Sequence, residues 1–138
     1  MAKVTKFEDL KCWQLARELV RLVYEACEVG KLSKDFETRG QIKRAALSTM
    51  NNIAEGFGRF STKDFIRFLD ISQSSSTEVK SITYALEDMD YISKTKITLI
   101  REKAEETKNS TLAFIRYLRK RENNKENFNT STPQHLNT

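Results

Sequence analysis

One proline, four glycines, two cysteines and a single histidine among 138 residues exclude several kinds of protein. With so few turn formers, and the lone Pro133 close to the C-terminus, a turn-rich β architecture is disfavoured and long helices are favoured. Cys12 and Cys27 both fall in the first predicted helix, where a rise of about 1.5 Å per residue puts them about 22 Å apart, too far to pair. Neither has a second cysteine at metal-ligand spacing, and His135 sits alone in a polar segment, so neither a disulfide framework nor a zinc site is expected. No apolar run approaches the roughly 20 residues that cross a bilayer, and the N-terminus carries no apolar signal core. The expectation is a soluble, cytoplasmic protein with no membrane partner and no cofactor.

What is present is charge and helical period. The length fits one domain with a core of its own. Charged residues make up 31% and hydrophobic ones 38% of the chain, and a net charge of +5 with a pI near 9.2 suits contact with a polyanion. Leu10, Trp13, Ala16, Val20, Val23 and Cys27 recur at steps of three and four, with Leu15, Leu19 and Leu22 as a second apolar row. They predict a helix over about 9–29, capped by Asp9 and ended by Gly30, whose second row needs a partner.

A second helix is predicted from Thr38, where Thr38 and Gln41 have capping-box spacing, through the seam Ile42, Ala46, Thr49 and Ile53. It stops in the stretch Asn51-Asn52-Ile53-Ala54-Glu55-Gly56-Phe57-Gly58-Arg59-Phe60, where Gly56 and Gly58 can supply left-handed backbone and Ser61 or Thr62 can cap the next helix. That third helix carries the seam Phe65, Phe68, Ser72, Ser75, Val79, Ile82, Leu86 and Met89, in which the two serines admit a neighbouring backbone or a large side chain. The fourth begins near Ser93 or Thr95 and runs through Ile97, Ile100, Ala104, Thr107, Thr111, Phe114 and Leu118. Short connections predict an all-α, antiparallel up-down-up-down four-helix bundle over 1–122. From 123 to 138 the polar composition predicts a flexible tail.

Helix three is acidic and helix four basic. Lys94, Arg101 and Lys108 along one flank of helix four, and Lys96 and Lys103 along the other, either pair with neighbouring helices or meet phosphates. Arg116, Arg119, Lys120 and Arg121 have only Glu122 and Glu126 nearby, and either complement the helix dipole or contact a polyanion. Arg39, Lys43 and Arg44 at the start of helix two form a second basic set, and Arg59, Lys63 and Arg67 step along the corner, on what can be one rim. Asn51, Asn52 and Glu55 bond to the corner or to Arg44 and Arg59; a glutamate without a histidine, second carboxylate or nucleophile is a poor general base. Trp13 is in step with the core seam rather than offered for stacking, and no Lys-Ser or Lys-Thr follows Gly56 and Gly58 in P-loop spacing.

Four pieces in order, Phe7-Glu8-Asp9-Leu10 leading to Trp13-Gln14, Gln41-Ile42-Lys43-Arg44-Ala45-Ala46, Asn52-Ile53-Ala54-Glu55-Gly56 with Gly58-Arg59, and Phe65-Ile66-Arg67-Phe68-Leu69, give the chain a family likeness from about Phe7 to about Leu118. It resembles the four-helix-bundle proteins encoded within intervening sequences of bacterial 23S ribosomal RNA genes. The resemblance implies a non-enzymatic bundle, a ring-like homopentamer, and kinship in fold with accessory proteins of diversity-generating retroelements that bind nucleic acid and a reverse transcriptase. Two departures stand out: Ser72-Gln73-Ser74-Ser75-Ser76 replaces a small, glycine-containing run, and Asp90 stands before Tyr91 where the family has glycine.

The resulting expectation is a homo-oligomer that binds RNA, or DNA, through Arg116, Arg119, Lys120 and Arg121, supported by Arg39, Lys43, Arg44 and Arg59. The alternative is a scaffold docking an acidic protein partner such as a nucleic-acid-processing enzyme.

Overall fold

A computed structural model describes residues 3–136, with side chains for 3–127. The helices are α1 (Lys11–Ala26), α2 (Phe36–Phe57), α3 (Thr62–Asp88) and α4 (Lys94–Leu136), with short 3-10 turns at Phe7–Asp9 and Lys31–Lys34. Each helix packs on its chain neighbours and α1 closes on α4, forming the expected antiparallel square. Ser61 caps α3 by accepting the Asp64 amide at 3.0 Å, and Ser93 accepts the Lys96 amide at 3.2 Å. The caps of the first two helices differ from expectation. Asp9 belongs to the 3-10 turn, leaving Leu10 at the α1 cap without a side-chain bond. Asp35, not Thr38, caps α2, accepting both the Thr38 amide and hydroxyl.

The seams of α1, α2 and α4 lie largely inside, joined by Ala45 and Ile115. On α3 the seam residues Phe68, Ser72, Val79 and Leu86 are inside, joined by Leu69, Ser76 and Thr83, while Ser75 and Ile82 are half-buried and Met89 is exposed. Leu15 and Leu19, the row that pointed to a partner, are buried within the single chain, and Leu22 is half-buried. A helix in a square bundle touches two neighbours, so it needs a wide apolar face without any oligomer.

The core falls into two apolar clusters. One surrounds Leu19, Val23, Ile42, Val79, Leu86 and Ile100; the other surrounds Trp13, Ile53, Leu69, Ile115 and Leu118. Between them Thr49, Ser72, Ser76, Thr107 and Thr111 form a buried polar waist. Ser72 donates across the helix gap to the Thr49 carbonyl at 2.7 Å, and Thr107 and Thr111 donate back to their own helix at 2.7 and 2.8 Å, so the hydroxyls are satisfied. Ser48 and Ser75 meet at 2.8 Å beside them.

Neither Gly56 nor Gly58 takes the left-handed conformation expected of it; among the described residues positive φ occurs at Gly30 and Asp90. Gly56 is needed for space, because a Cβ there would approach the Phe68 Cβ to 2.7 Å and the Phe65 ring to 2.9 Å. Gly30, at φ 62° and ψ −162°, occupies a region that is essentially glycine's own, and a Cβ would run into the Tyr91 carbonyl oxygen. That same carbonyl accepts the Lys31 amide at 3.0 Å, while the Tyr91 hydroxyl donates to Asp35 at 2.9 Å. Donors from Thr38 and Tyr91 hold the Asp35 carboxyl below the usual carboxylate range. Tyr91 thereby ties the α1–α2 connection to the α3–α4 turn. In that turn the Asp90 amide bonds the Glu87 carbonyl at 3.1 Å and the Tyr91 amide bonds Leu86 at 2.9 Å, a Schellman motif with aspartate in the glycine position.

Helix α4 continues through the segment read as a tail, to Leu136; the described side chains from 123 to 127 are exposed, and among the described residues burial ends at Leu118.

Three outcomes follow from this packing. Gly30→Ala should cost at least about 2 kcal/mol in urea denaturation, whereas Asp90→Gly should gain about 1 kcal/mol by relieving the left-handed aspartate and removing an anion from a helix C-terminus. Ser72→Ala should cost about 1 kcal/mol and Ser72→Leu about 1 to 3 kcal/mol more, because the waist has no room; equal midpoints would contradict the close approach. Burial pushes the Cys12 thiol up to about 11, so iodoacetamide at pH 8 should label it only as fast as the chain unfolds. Rapid labelling of the native protein would count against the buried placement.

Candidate nucleic-acid interface

The cations singled out in the sequence do not form one surface. Arg39 and Arg59 lie about 30 Å apart along α2, at about 1.5 Å per residue, so the two basic sets do not share a rim. At the first end Arg39 is held inward, its side chain 20% exposed. It donates to the Ser33 carbonyl and to Glu28, both at 3.3 Å, and lies over the Phe36 ring at 5.6 Å. Lys43 places its Nζ over Tyr24 at 4.7 Å, and Arg44 donates to the Gln41 amide oxygen at 3.2 Å. Arg39 and Lys43 bind α2 to the end of α1 and the loop beyond it, whereas Arg44 bonds within its own helix.

At the other end Arg59 pairs with Glu55 at 3.4 Å and Asp64 at 3.8 Å and lies over Phe68 at 4.6 Å. Arg67 covers the same ring at 4.7 Å while binding Asp64 at 2.9 Å. Two guanidiniums thus clamp one nearly buried phenyl ring, which fixes the α2–α3 corner. Glu55 serves this clamp as expected, whereas the Asn52 amide donates back to the Ser48 carbonyl at 2.8 Å, within α2 and away from the corner. Among the described residues no group of three His, Cys, Asp or Glu side chains is arranged to hold a metal ion.

Helix α4 shows two regimes of charge. Along the faces toward its neighbours Arg101 pairs with Glu87 at 2.5 Å and Lys103 with Glu18 at 2.9 Å, and the α4 carboxylate Glu105 takes Lys80 at 2.9 Å, whereas the flank residues Lys94, Lys96 and Lys108 make no ion pair with a described residue. Past its midpoint, beside the α2–α3 corner, Arg116, Arg119, Lys120 and Arg121 are all exposed and make no ion pair with any described residue. The helix dipole does not account for them, because α4 ends at Leu136 and the dipole acts within the last turn. Arg119 looks toward the start of α3, where it lines a groove of mixed charge with Lys63, Ile66 and Arg67 and with the carboxylates Asp64, which is already paired to Arg59 and Arg67, and Asp70. A second hollow continues past the same Lys63, Ile66 and Arg119 to Glu122 and Asn123.

Sequence reasoning therefore found the four cations that stay together and grouped them with others that are far off or engaged. It passed over Tyr117, 43% exposed in the midst of the cluster, and Phe60, wholly exposed at the corner. Tyr117 falls one place before the seam residue Leu118, which was the available signal that it points away from the core. No helix among the described residues is long and apolar enough to cross a membrane.

The profile of the 23S rRNA-intervening sequence protein family matches residues 8–113. A solved structure from Bacteroides thetaiotaomicron, described as a protein of unknown function from the S23 ribosomal protein family, superposes with a TM-score of 0.69 at 24% identity. The match covers 76% of this chain and 95% of that one, a likeness of fold. No functionally curated protein matches the chain. The four unpaired cations lie beyond the matched stretch, on the outward continuation of its last helix. With its profile match and its four-helix architecture, the chain belongs to the 23S rRNA-intervening sequence protein family.

Proposed function

We propose that this protein is a non-catalytic, homo-oligomeric bundle that binds RNA through the stretch of α4 beside the α2–α3 corner. One observation carries the reading: Arg116, Arg119, Lys120 and Arg121 cluster on one stretch of α4, all exposed and without an ion pair to any described residue, whereas Arg101 and Lys103 on the same helix are matched by neighbours. Like charges held close on one helix repel, a cost that a phosphate backbone offsets while releasing its counterions. Arg59, Lys63 and Arg67 lie at the same end, where Lys63 is the member with no carboxylate within ion-pair distance among the described residues. Arg39, Lys43 and Arg44 are left out of the interface in this reading, because they lie at the opposite end.

Assembly supports the same activity. The family resemblance points to a pentamer, and exposed apolar side chains on the outer bundle faces, Ile71 and Tyr84 on α3 and Leu99 on α4, offer contact surface. Each added subunit repeats the basic end, so weak phosphate contacts sum into one multivalent surface. The same cations also suit an acidic protein partner, and what travels with the chain at low salt separates the two: nucleic acid for the first reading, a discrete acidic protein for the second.

The test is light scattering on nuclease-treated protein followed by RNA titration at two salt concentrations. The expected result is a multimer whose affinity falls steeply with salt, and a slope of log K against log salt that drops by about 2 when Arg119, Lys120 and Arg121 become Gln. Salt-insensitive binding, or an unchanged slope in the triple variant, would overturn this site.

A further inference from the structure

The end of the bundle that carries the unpaired cations also exposes two aromatic rings. Phe60 is wholly in water and Tyr117 is 43% exposed. Tyr117 is not loosely held: it stacks on Phe114 at 6.1 Å and 16°. Phe114 in turn meets Phe65 edge-on at 5.5 Å, and Phe65 meets Phe57 at 6.0 Å. A ladder of rings thus crosses from α2 through α3 to α4 and ends on a ring with one side in water. Lys120 and Arg121 follow Tyr117 by three and four positions, on the same side of the helix. On the other flank Arg119 shares its groove with Lys63, three residues beyond Phe60.

Resting on the nucleic-acid reading above, we propose that this end of the bundle takes an unpaired strand, whose bases stack on Tyr117 and Phe60 while Lys63, Arg119, Lys120 and Arg121 follow its phosphates. The argument turns on what each group can recognise. Cations alone favour a duplex, which has the higher charge density. A flat ring can stack only on a base whose face is free, which a duplex does not offer along its length and a single strand does. Exposed rings flanked by unpaired cations therefore reverse the preference that charge alone would set. Stacking accepts every base, so little sequence preference is expected.

The experiment is fluorescence anisotropy of the full chain with a labelled, unstructured strand of about 20 nucleotides and with its duplex, in both RNA and DNA. The single strand should bind at least about 5-fold more tightly in at least one of the two sugar series. Tyr117→Ala and Phe60→Ala should each weaken single-strand binding about 5- to 100-fold, with the duplex unmoved and the salt slope unchanged because no charge is lost. Tyr117→Phe should bind within about 2-fold of the parent. Phe60 touches no core, so its variant remains informative even if Tyr117→Ala loosens the Phe114 contact. Duplex binding as tight as single-strand binding in both series, or alanine variants that bind like the parent, would overturn the stacking proposal. If the Arg-to-Gln variant still weakens binding in that case, the broader RNA-binding reading survives. Failure of every strand to bind would overturn both.

Discussion

The arrangement of this bundle depends on how closely α2 and α3 approach. A serine hydroxyl on one helix reaches a carbonyl on the other at 2.7 Å, and one turn-pair further along Gly56 leaves room for Phe65 and Phe68 to lie against the α2 backbone. That proximity puts Phe68 where Arg59 and Arg67 clamp it, and Phe65 where it meets both Phe57 and Phe114. A bulkier waist would part the helices, and the ring contacts that orient Tyr117 would part with them. The buried hydroxyls thus matter less for their own hydrogen bonds, each worth about 1 kcal/mol, than for the distance they permit.

Charge follows packing. Along the faces where helices meet, cation and carboxylate lie opposite one another, and with one or both partners still open to water such pairs contribute modestly to stability. Their effect is to tie α4 to α1 and α3 at Arg101, Lys103 and Glu105, while Arg116, Arg119, Lys120 and Arg121 form the densest run of cations on the helix.

The helices, their order and most of the core were legible because hydrophobic period survives any detail of packing: Ile42, Ala46, Thr49 and Ile53 are all inside, as are Ile97, Ile100, Ala104 and Thr107. What was misread were letters with two physical meanings. Gly56 reads the same whether it supplies backbone freedom or space for a neighbour, and here it supplies space; the left-handed position fell instead to Asp90. Leu15, Leu19 and Leu22 read as an uncovered face because one stripe per helix was assumed, where a square needs two. The cations were harder still, since Arg39 and Arg119 look alike until Glu28, Ser33 and Phe36 are seen around the first and none around the second. Tyr117 was visible only as a residue out of step.

Leu118 is the last buried residue of α4 among those described, and the clustered cations lie on or beside the turn that contains it. Substitutions at Arg119, Lys120 or Arg121 consequently leave the folding energy almost untouched. Within a lineage these positions are free to drift, to gain charge or to lose it, at no risk to the scaffold. Stability and surface character are thus inherited on separate stretches of one continuous helix, and relatives that share the bundle are free to differ in what its outer turns attract.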